Sequence, residues 1–220
     1  MFLVPCLALA QQSETRPVGS FSGIKTGEAI DVYLKKGDKE SVKVEVSGDN
    51  LGNVITEVVG SYLKIHMREN SSFFRKNDNV KVYVTYVKIN KIYASSAANV
   101  FAEGVLQAED LELQASSAAD IELKIEARDV RVHASSAADI ILEGTAKSIN
   151  ADASSSGEID AYALQVESAD AQASSAGSIK LSVSQALEAG ASSGGSIRYR
   201  GNPSRTNTHS SSGGSVKKAN

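Results

Sequence analysis

The chain has 220 residues and a formal net charge of −3, with no Trp, one Cys and 5% aromatic residues. A nearly balanced charge leaves no electrostatic footprint for nucleic acid, and one cysteine excludes a disulfide framework. The length suits one elongated domain or two small ones.

The chain opens on an apolar run, from Phe2 to Ala10, that is too short to span a bilayer. It closes with Ala8-Leu9-Ala10, a small-residue cleavage signature, before polar Gln11, Gln12 and Ser13. Residues 1–10 are therefore expected to be a secretory signal lacking its basic n-region. Cleavage after Ala10 leaves an exported chain that begins at Gln11 and has no thiol. Pro5 in front of Cys6, and an apolar run that continues past it, speak against a lipid anchor at Cys6. No other stretch is long and apolar enough for a transmembrane helix.

Residues 18–93 alternate apolar and polar side chains, as in Ile30-Asp31-Val32-Tyr33-Leu34, Val42-Lys43-Val44-Glu45-Val46, Leu63-Lys64-Ile65-His66-Met67 and Val80-Lys81-Val82-Tyr83-Val84. Period two is the strand signature. Turn clusters separate these runs, so the segment reads as β-strands in irregular coils. It holds bulky residues such as Phe73, Phe74, Tyr83 and Tyr86.

From Ala94 a seven-residue phrase takes over. It begins at Ala94, Ala115, Ala134, Ala153, Ala173, Ala191 and Ser210, at spacings of 21, 19, 19, 20, 18 and 19. A period of this size signals a solenoid, whose repeats bury their apolar faces only against neighbours. Within one repeat, Ile121, Leu123 and Ile125 alternate with Glu122 and Lys124. A turn is expected at Ala127-Arg128-Asp129, after which Val130, Val132 and Ala134 alternate with Arg131 and His133. Each coil thus holds a strand after the phrase and another before the next, with equivalent residues stacked about 4.8 Å apart.

The residue closing each phrase is β-branched throughout: Val100, Ile121, Ile140, Ile159, Ile179, Ile197 and Val216. The inward positions shrink along the chain, from Leu111, Leu113 and Ala115 to Ala169, Ala171 and Ala173, and end polar at Thr206, Thr208 and Ser210. A terminal repeat needs such a change because its outer face meets water, and Lys217 and Lys218 discourage strand addition at the edge. The fold class is all-β: a parallel β-helix with coils of 18–21 residues at 94–218, continuous with the less regular coils at 18–93 as one domain.

The chain resembles the head GIN domain family, described as auto-transporter adhesins of bacterial envelopes. Phe21-Ser22-Gly23-Ile24 matches its opening element. Val84 to Ile92 (VTYVKINKI) matches its central join, although a proline common there is Val87 in this chain. The small-residue turns match all seven phrases, with Ser-Ser-Ala mostly replacing Ser-Gly. Ile197 to Pro203 (IRYRGNP) and Gly213-Gly214-Ser215-Val216 match its close. The resemblance implies a right-handed β-helix, a cell-envelope location and no catalytic residues. Nothing after Val216 reads as the membrane barrel of a self-translocating protein.

Asp120, Asp139 and Glu158 share one column, with Asn99 before them and Ser178, Ser196 and Ser215 after. Stacked carboxylates are candidate Ca²⁺ ligands, since that cation takes six to eight oxygens. Solvated turn residues are the simpler reading, because the column turns to serine and no Gly-Asp calcium repeat occurs. The phrase serines are read as corner residues whose stacked hydroxyls bond along the column, since a nucleophilic serine needs a positioned base. His66, His133 and His209 are too far apart in coil order for a metal site, and Gly194-Gly195 and Gly213-Gly214 are turns, not phosphate loops. No cofactor is expected.

Acids prevail from Asn99 to Asp160. From Ala171 onward Glu188 is the one acid beside Lys180, Arg198, Arg200, Arg205, Lys217 and Lys218. A basic tip of this kind suits anionic lipid or polysaccharide, or simple edge protection. The expected function is a non-enzymatic, exported envelope protein, at the periplasm, outer membrane or cell surface, that binds an unknown polysaccharide or protein as an adhesin does. A polysaccharide-binding or lyase-like β-helix enzyme and an envelope scaffold or sensor with a protein partner are the alternatives. Against the enzyme stands the scarcity of aromatic platforms in the regular coils, where Phe101, Tyr162 and Tyr199 are the exceptions.

Overall fold

The computed structural model describes residues 11–47, 51–68 and 79–219. Residues 1–10, where the sequence places the expected leader and Cys6, and the bulky pair Phe73 and Phe74 lie outside the described residues. The strands, in chain order, are β1 (Gln11–Arg16), β2 (Gly23–Thr26), β3 (Ile30–Lys36), β4 (Ser41–Ser47), β5 (Val54–Val59), β6 (Tyr62–Met67), β7 (Val80–Tyr86), β8 (Lys91–Ala94), β9 (Asn99–Ala115), β10 (Asp120–Ala134), β11 (Asp139–Ala153), β12 (Glu158–Ala173), β13 (Ser178–Ala191), β14 (Ser196–Arg200), β15 (Arg205–Ser210) and β16 (Ser215–Lys218). From β9 to β13 each strand lies parallel to and in register with the next. β13 then pairs β14 near its start and β15 near its end, and β16 pairs β14. This is a parallel β-solenoid of about seven turns. Among the described residues no helix is long and apolar enough to cross a membrane.

Each phrase forms a tight corner. In the first, Ala98 donates its N–H to the Ser95 carbonyl at 3.1 Å, and the central residues Ser96 (φ 52°) and Ala97 (φ 60°) are left-handed. The pair recurs at Ser117 and Ala118, Ser136 and Ala137, Ser155 and Ser156, and Ser175 and Ala176. A left-handed L-residue costs about 1–2 kcal/mol. Small side chains limit that cost, and the ladder between corners offsets it. Ala97 donates to the Ser117 carbonyl at 3.0 Å, Ala118 to that of Ser136 at 3.0 Å, and Ala137 to that of Ser155 at 3.1 Å. The sequence suggested hydroxyl bonds along the serine column; these links between corners run through the backbone instead. The left-handed second serine aims its carbonyl along the stack and leaves its side chain in solvent.

The bend expected at Ala127-Arg128-Asp129 is a corner inside a continuous strand, whose ladder to β11 steps over Arg128 alone. Strand segments following the phrase corners build a first face of the solenoid. Segments leading up to the next corner build a second face.

Inward side chains stack in columns. On the second face Leu63, Ile24, Ile92, Leu113, Val132, Ala151, Ala171 and Ala189 lie in register. Each is at most 3% exposed. The column narrows toward the C-terminus as the sequence indicates, and Thr208, next in register, is exposed.

The N-terminal strands do not stack in chain order. β2 lies between β6 and β8, and β3 between β7 and β9. The coil formed first in the chain is therefore enclosed by two formed later. Outside them β4 runs antiparallel to β7, β1 antiparallel to β4 and β5 antiparallel to β6. The sequence reads this segment as strands in irregular coils and gives no order for them. Without the phrase only alternation remains, and alternation is the same for parallel and antiparallel strands.

Candidate functional site

The carboxylate column comes first, because the sequence singled it out. Asp120, Asp139 and Glu158 do stack in register on the first face, after Asn99 and before Ser178. All stand on one side of a sheet, so they line a ridge instead of surrounding a cation. Among the described residues no group of three or more His, Cys, Asp or Glu side chains converges for a metal. Lys180 already engages the column's end, with Nζ 2.6 Å from Glu158 Oε1 and 3.3 Å from Asp160 Oδ2.

Asp139 is solvent-exposed, but partial desolvation on the ridge, and then the Asp120 and Glu158 carboxylates on either side, raise its pKa above the ordinary carboxylate value. The unfolded chain then ionises at lower pH than the folded one. Stability falls as pH rises through the carboxylate range, and the loss is complete above the folded pKa. Asp139→Asn is expected to raise the thermal midpoint at pH 7 slightly, since solvent screens an exposed carboxylate. The gain should vanish well below the ordinary carboxylate pKa. A lower midpoint at pH 7 in scanning calorimetry would mean that the charge is held by a favourable contact.

The histidines stay apart. His66 faces Glu57 at 3.5 Å, His133 faces Asp152 at 3.0 Å, and His209 lies four coils beyond His133 in one column.

A groove on the second face was not read from the sequence. One wall is the column Asp110, Asp129, Ser148, Ser168, Ala186 and Arg205; the other is Arg131, Asn150, Asp170, Glu188 and Asn207. Between them the strand backbones of Val130, Ile149, Ala169, Leu187 and Thr206 form the floor. The groove encloses about 830 Å³ and runs parallel to the solenoid axis for roughly 24 Å, five coil steps. The buried Val130 column lies recessed between two outward columns, next to the corner at Arg128.

Part of its polar lining is already engaged. Ser148 Oγ donates to Asp129 Oδ1 at 2.6 Å and Arg128 Nε to Asp129 Oδ2 at 2.8 Å. The Ser148 bond first, then Arg128, holds the Asp129 carboxyl below its ordinary pKa. Gln172 Nε2 reaches Asp170 at 3.3 Å. Ser168, Asn150, Glu188 and Asn207 make no side-chain hydrogen bond among the described residues and face the groove. Toward the N-terminus a second hollow of about 150 Å³ is bounded by Glu112, Arg131, His133, Asn150 and Asp152.

Beyond it stands an aromatic pair. Tyr62 stacks on Tyr93 at 5.6 Å, with Lys25 Nζ 4.4 and 5.1 Å from the two ring centres. Gly23 allows this, since a Cβ there would meet the Tyr62 ring at 2.6 Å. Tyr93 donates its hydroxyl to Glu112 Oε1 at 2.5 Å. Burial, and then that bond, push the phenol pKa up. The same bond, with Lys91 at 3.3 Å, holds Glu112 ionised below its ordinary value. On the first face Tyr83, Tyr33 and Phe101 stack at 5.2 and 5.4 Å. Their ring faces cover one another and leave edges outward, as in cross-strand ladder pairs.

Chemically, the groove offers hydroxyl, amide, carboxylate and guanidinium groups at the coil repeat, suited to hydrogen-bonding an extended chain laid along the axis. Its carboxylates stand on both walls, Asp110 and Asp129 on one and Asp170 and Glu188 on the other, and Asp129 is already held by Ser148 and Arg128. Its lining follows from the outward positions before each phrase, which keep the same register as the inward ones. The concavity does not, because nothing in the pattern sets how far the Val130 column is recessed.

The comparisons agree on the architecture. Residues 20–203 match the family model "Putative auto-transporter adhesin, head GIN domain". The fold is similar to that of a "putative adhesin" from Bacteroides fragilis, at a TM-score of 0.86 and 20% identity over 96% of this chain and 98% of that one. It is similar to a "putative adhesin" from Parabacteroides merdae, at 0.79 and 17% over 96% of each chain. A "putative lipid binding protein" from Parabacteroides distasonis aligns at 0.76 and 18%, over 96% of this chain and 97% of that one. At these identities the likeness is one of fold. No curated protein matches the sequence.

Proposed function

Because the chain belongs to the head GIN domain family, we propose that it is an exported, non-enzymatic binding protein of the cell envelope, whose second-face groove holds an extended, hydroxyl-rich polymer such as a polysaccharide strand. The groove carries this reading. It spans five coil steps, runs along the axis and presents hydrogen-bonding groups such as Asn150, Ser168, Glu188 and Asn207. A polymer of repeating sugars has repeating hydroxyls to meet a repeating wall. The leader fits as well. The Ala8-Leu9-Ala10 cut falls immediately before β1, so export processing after Ala10 removes none of the described strands. The family's adhesin description supports binding over turnover.

The test is a panel of neutral and acidic polysaccharides passed over immobilised protein, with the eluate sized. Retention of some of them at unchanged chain length is expected. Shortened products would replace binding by catalysis, and failure to retain any member of the panel would reject the groove as a polysaccharide site.

A further inference from the structure

Charge is banded along the solenoid. Residues 99–177 carry 15 acidic and 4 basic side chains, and residues 178–219 carry 1 acidic and 6 basic. On the first face the band resolves into one outward column in register: Glu122, Ile141, Asp160, Lys180, Arg198 and Lys217. Reversed about its midpoint, between Asp160 and Lys180, this column sets Glu122 against Lys217 and Asp160 against Lys180, with Ile141 against Arg198. Asp120 and Asp139 beside it form no ion pair among the described residues, nor do Arg198 and Lys217. Ile141 in its midst is 44% exposed, one of few large hydrophobics so exposed.

We infer that the first face pairs with a second copy of this chain, the two solenoids antiparallel and related by a two-fold axis that crosses the column between Asp160 and Lys180. Rotation about that axis sets each column against itself in reversed coil order. Glu122 then faces the partner's Lys217, and Asp160 faces the partner's Lys180. Ile141 lies under the aliphatic stem of the partner's Arg198, an arrangement long cationic side chains favour. The neighbouring column sets Asp120, Asp139 and Glu158 against the small, hydroxylated Ser215, Ser196 and Ser178 of the partner, so no like charges meet. At the centre the Lys180 ion pairs with Glu158 and Asp160 come together from both copies into one network, where ion pairs are worth more than singly. An isologous contact of this kind closes on itself and makes a dimer, not a fibre. Five coil steps by a few outward columns give roughly 500 Å² per partner, near the lower bound of about 1,000 Å² in total for a specific interface. The pair is therefore weak and sensitive to salt. The groove residues on the second face take no part in this contact, so this proposal does not depend on what the groove binds.

Sedimentation velocity on the mature chain, at hundreds of micromolar, reads it directly. A dimer at low ionic strength that dissociates as salt is raised is expected. Glu122→Lys alone and Lys217→Glu alone should each weaken it by about tenfold or more, since each sets like charges opposite at two symmetric places. The combined variant should restore dimerisation, with thermal midpoints showing all three folded. Rescue separates a paired contact from a general effect of net charge. A monomer at every salt concentration would overturn the proposal. So would a dimer indifferent to the single changes, or one that the combined variant does not restore. A monomer that instead retains polylysine on this face would assign it to a basic partner and also overturn it.

Discussion

Gly144→Ala is expected to cost at least about 3 kcal/mol of stability, from a lost backbone contact and a strained torsion together. Gly144 has φ +109°, a conformation that L side chains rarely adopt. A Cβ built there would lie 2.1 Å from the Ile125 carbonyl oxygen and 3.1 Å from its carbon. That oxygen belongs to the backbone of the coil below, in register with Gly144, and cannot swing aside as a side chain would. The clash therefore parts β10 from β11 three residues ahead of the corner at Arg128. Gly201 over Val183, with φ +101° and a contact of 2.0 Å, is the same situation near the C-terminal coils. Gly52, with no atom within 4 Å of its would-be Cβ, should accept alanine within about 0.5 kcal/mol. Equal denaturation midpoints for Gly144→Ala and Gly52→Ala would contradict the stacking geometry.

The inward column predicts the second large effect, with opposite signs of volume change at its two ends. Leu113 is fully buried between Ile92 and Val132. Leu113→Ala should cost about 2–5 kcal/mol through lost burial and the cavity left behind. Ala171, also fully buried, sits between Ala151 and Ala189 in the narrow part. There the damaging change is enlargement, and Ala171→Phe should overpack the stack by about 1–3 kcal/mol. Glu167, exposed, should tolerate alanine within about 0.5 kcal/mol. If Ala171→Phe unfolds at the same denaturant concentration as Glu167→Ala, the narrowing of the core is wrong.

These columns show why so much of the fold is legible. A phrase that returns every 18–21 residues states which residues stack, so Ala171 can be placed beneath Ala189 and beside Ala151 from spacing alone. The stack of Asp120, Asp139 and Glu158 is legible for the same reason. What the period does not encode is angle and hand of pairing. The enclosed β2–β3 coil and the antiparallel β1, β4 and β5 lie where no phrase marks a register. The corner bonds went astray for a different reason: serine suggested hydroxyl chemistry, whereas the left-handed backbone of Ser96 and Ala97 makes the ladder. The groove escaped because its walls come from outward residues of ordinary polarity, Ser148, Ser168 and Asn150 among them, which become a site only where the buried Val130 column lies recessed between them.

The account rests most heavily on the second-face groove as the binding surface. Ala186 stands on its wall between Ser168 and Arg205, partly exposed, so Ala186→Trp fills the groove without entering the core. The decisive measurement is retention of the bound polysaccharide by Ala186→Trp beside the unsubstituted chain, with thermal midpoints recorded for both. The account predicts that retention is lost while the midpoints agree within a few degrees. Full retention by a folded Ala186→Trp would contradict it.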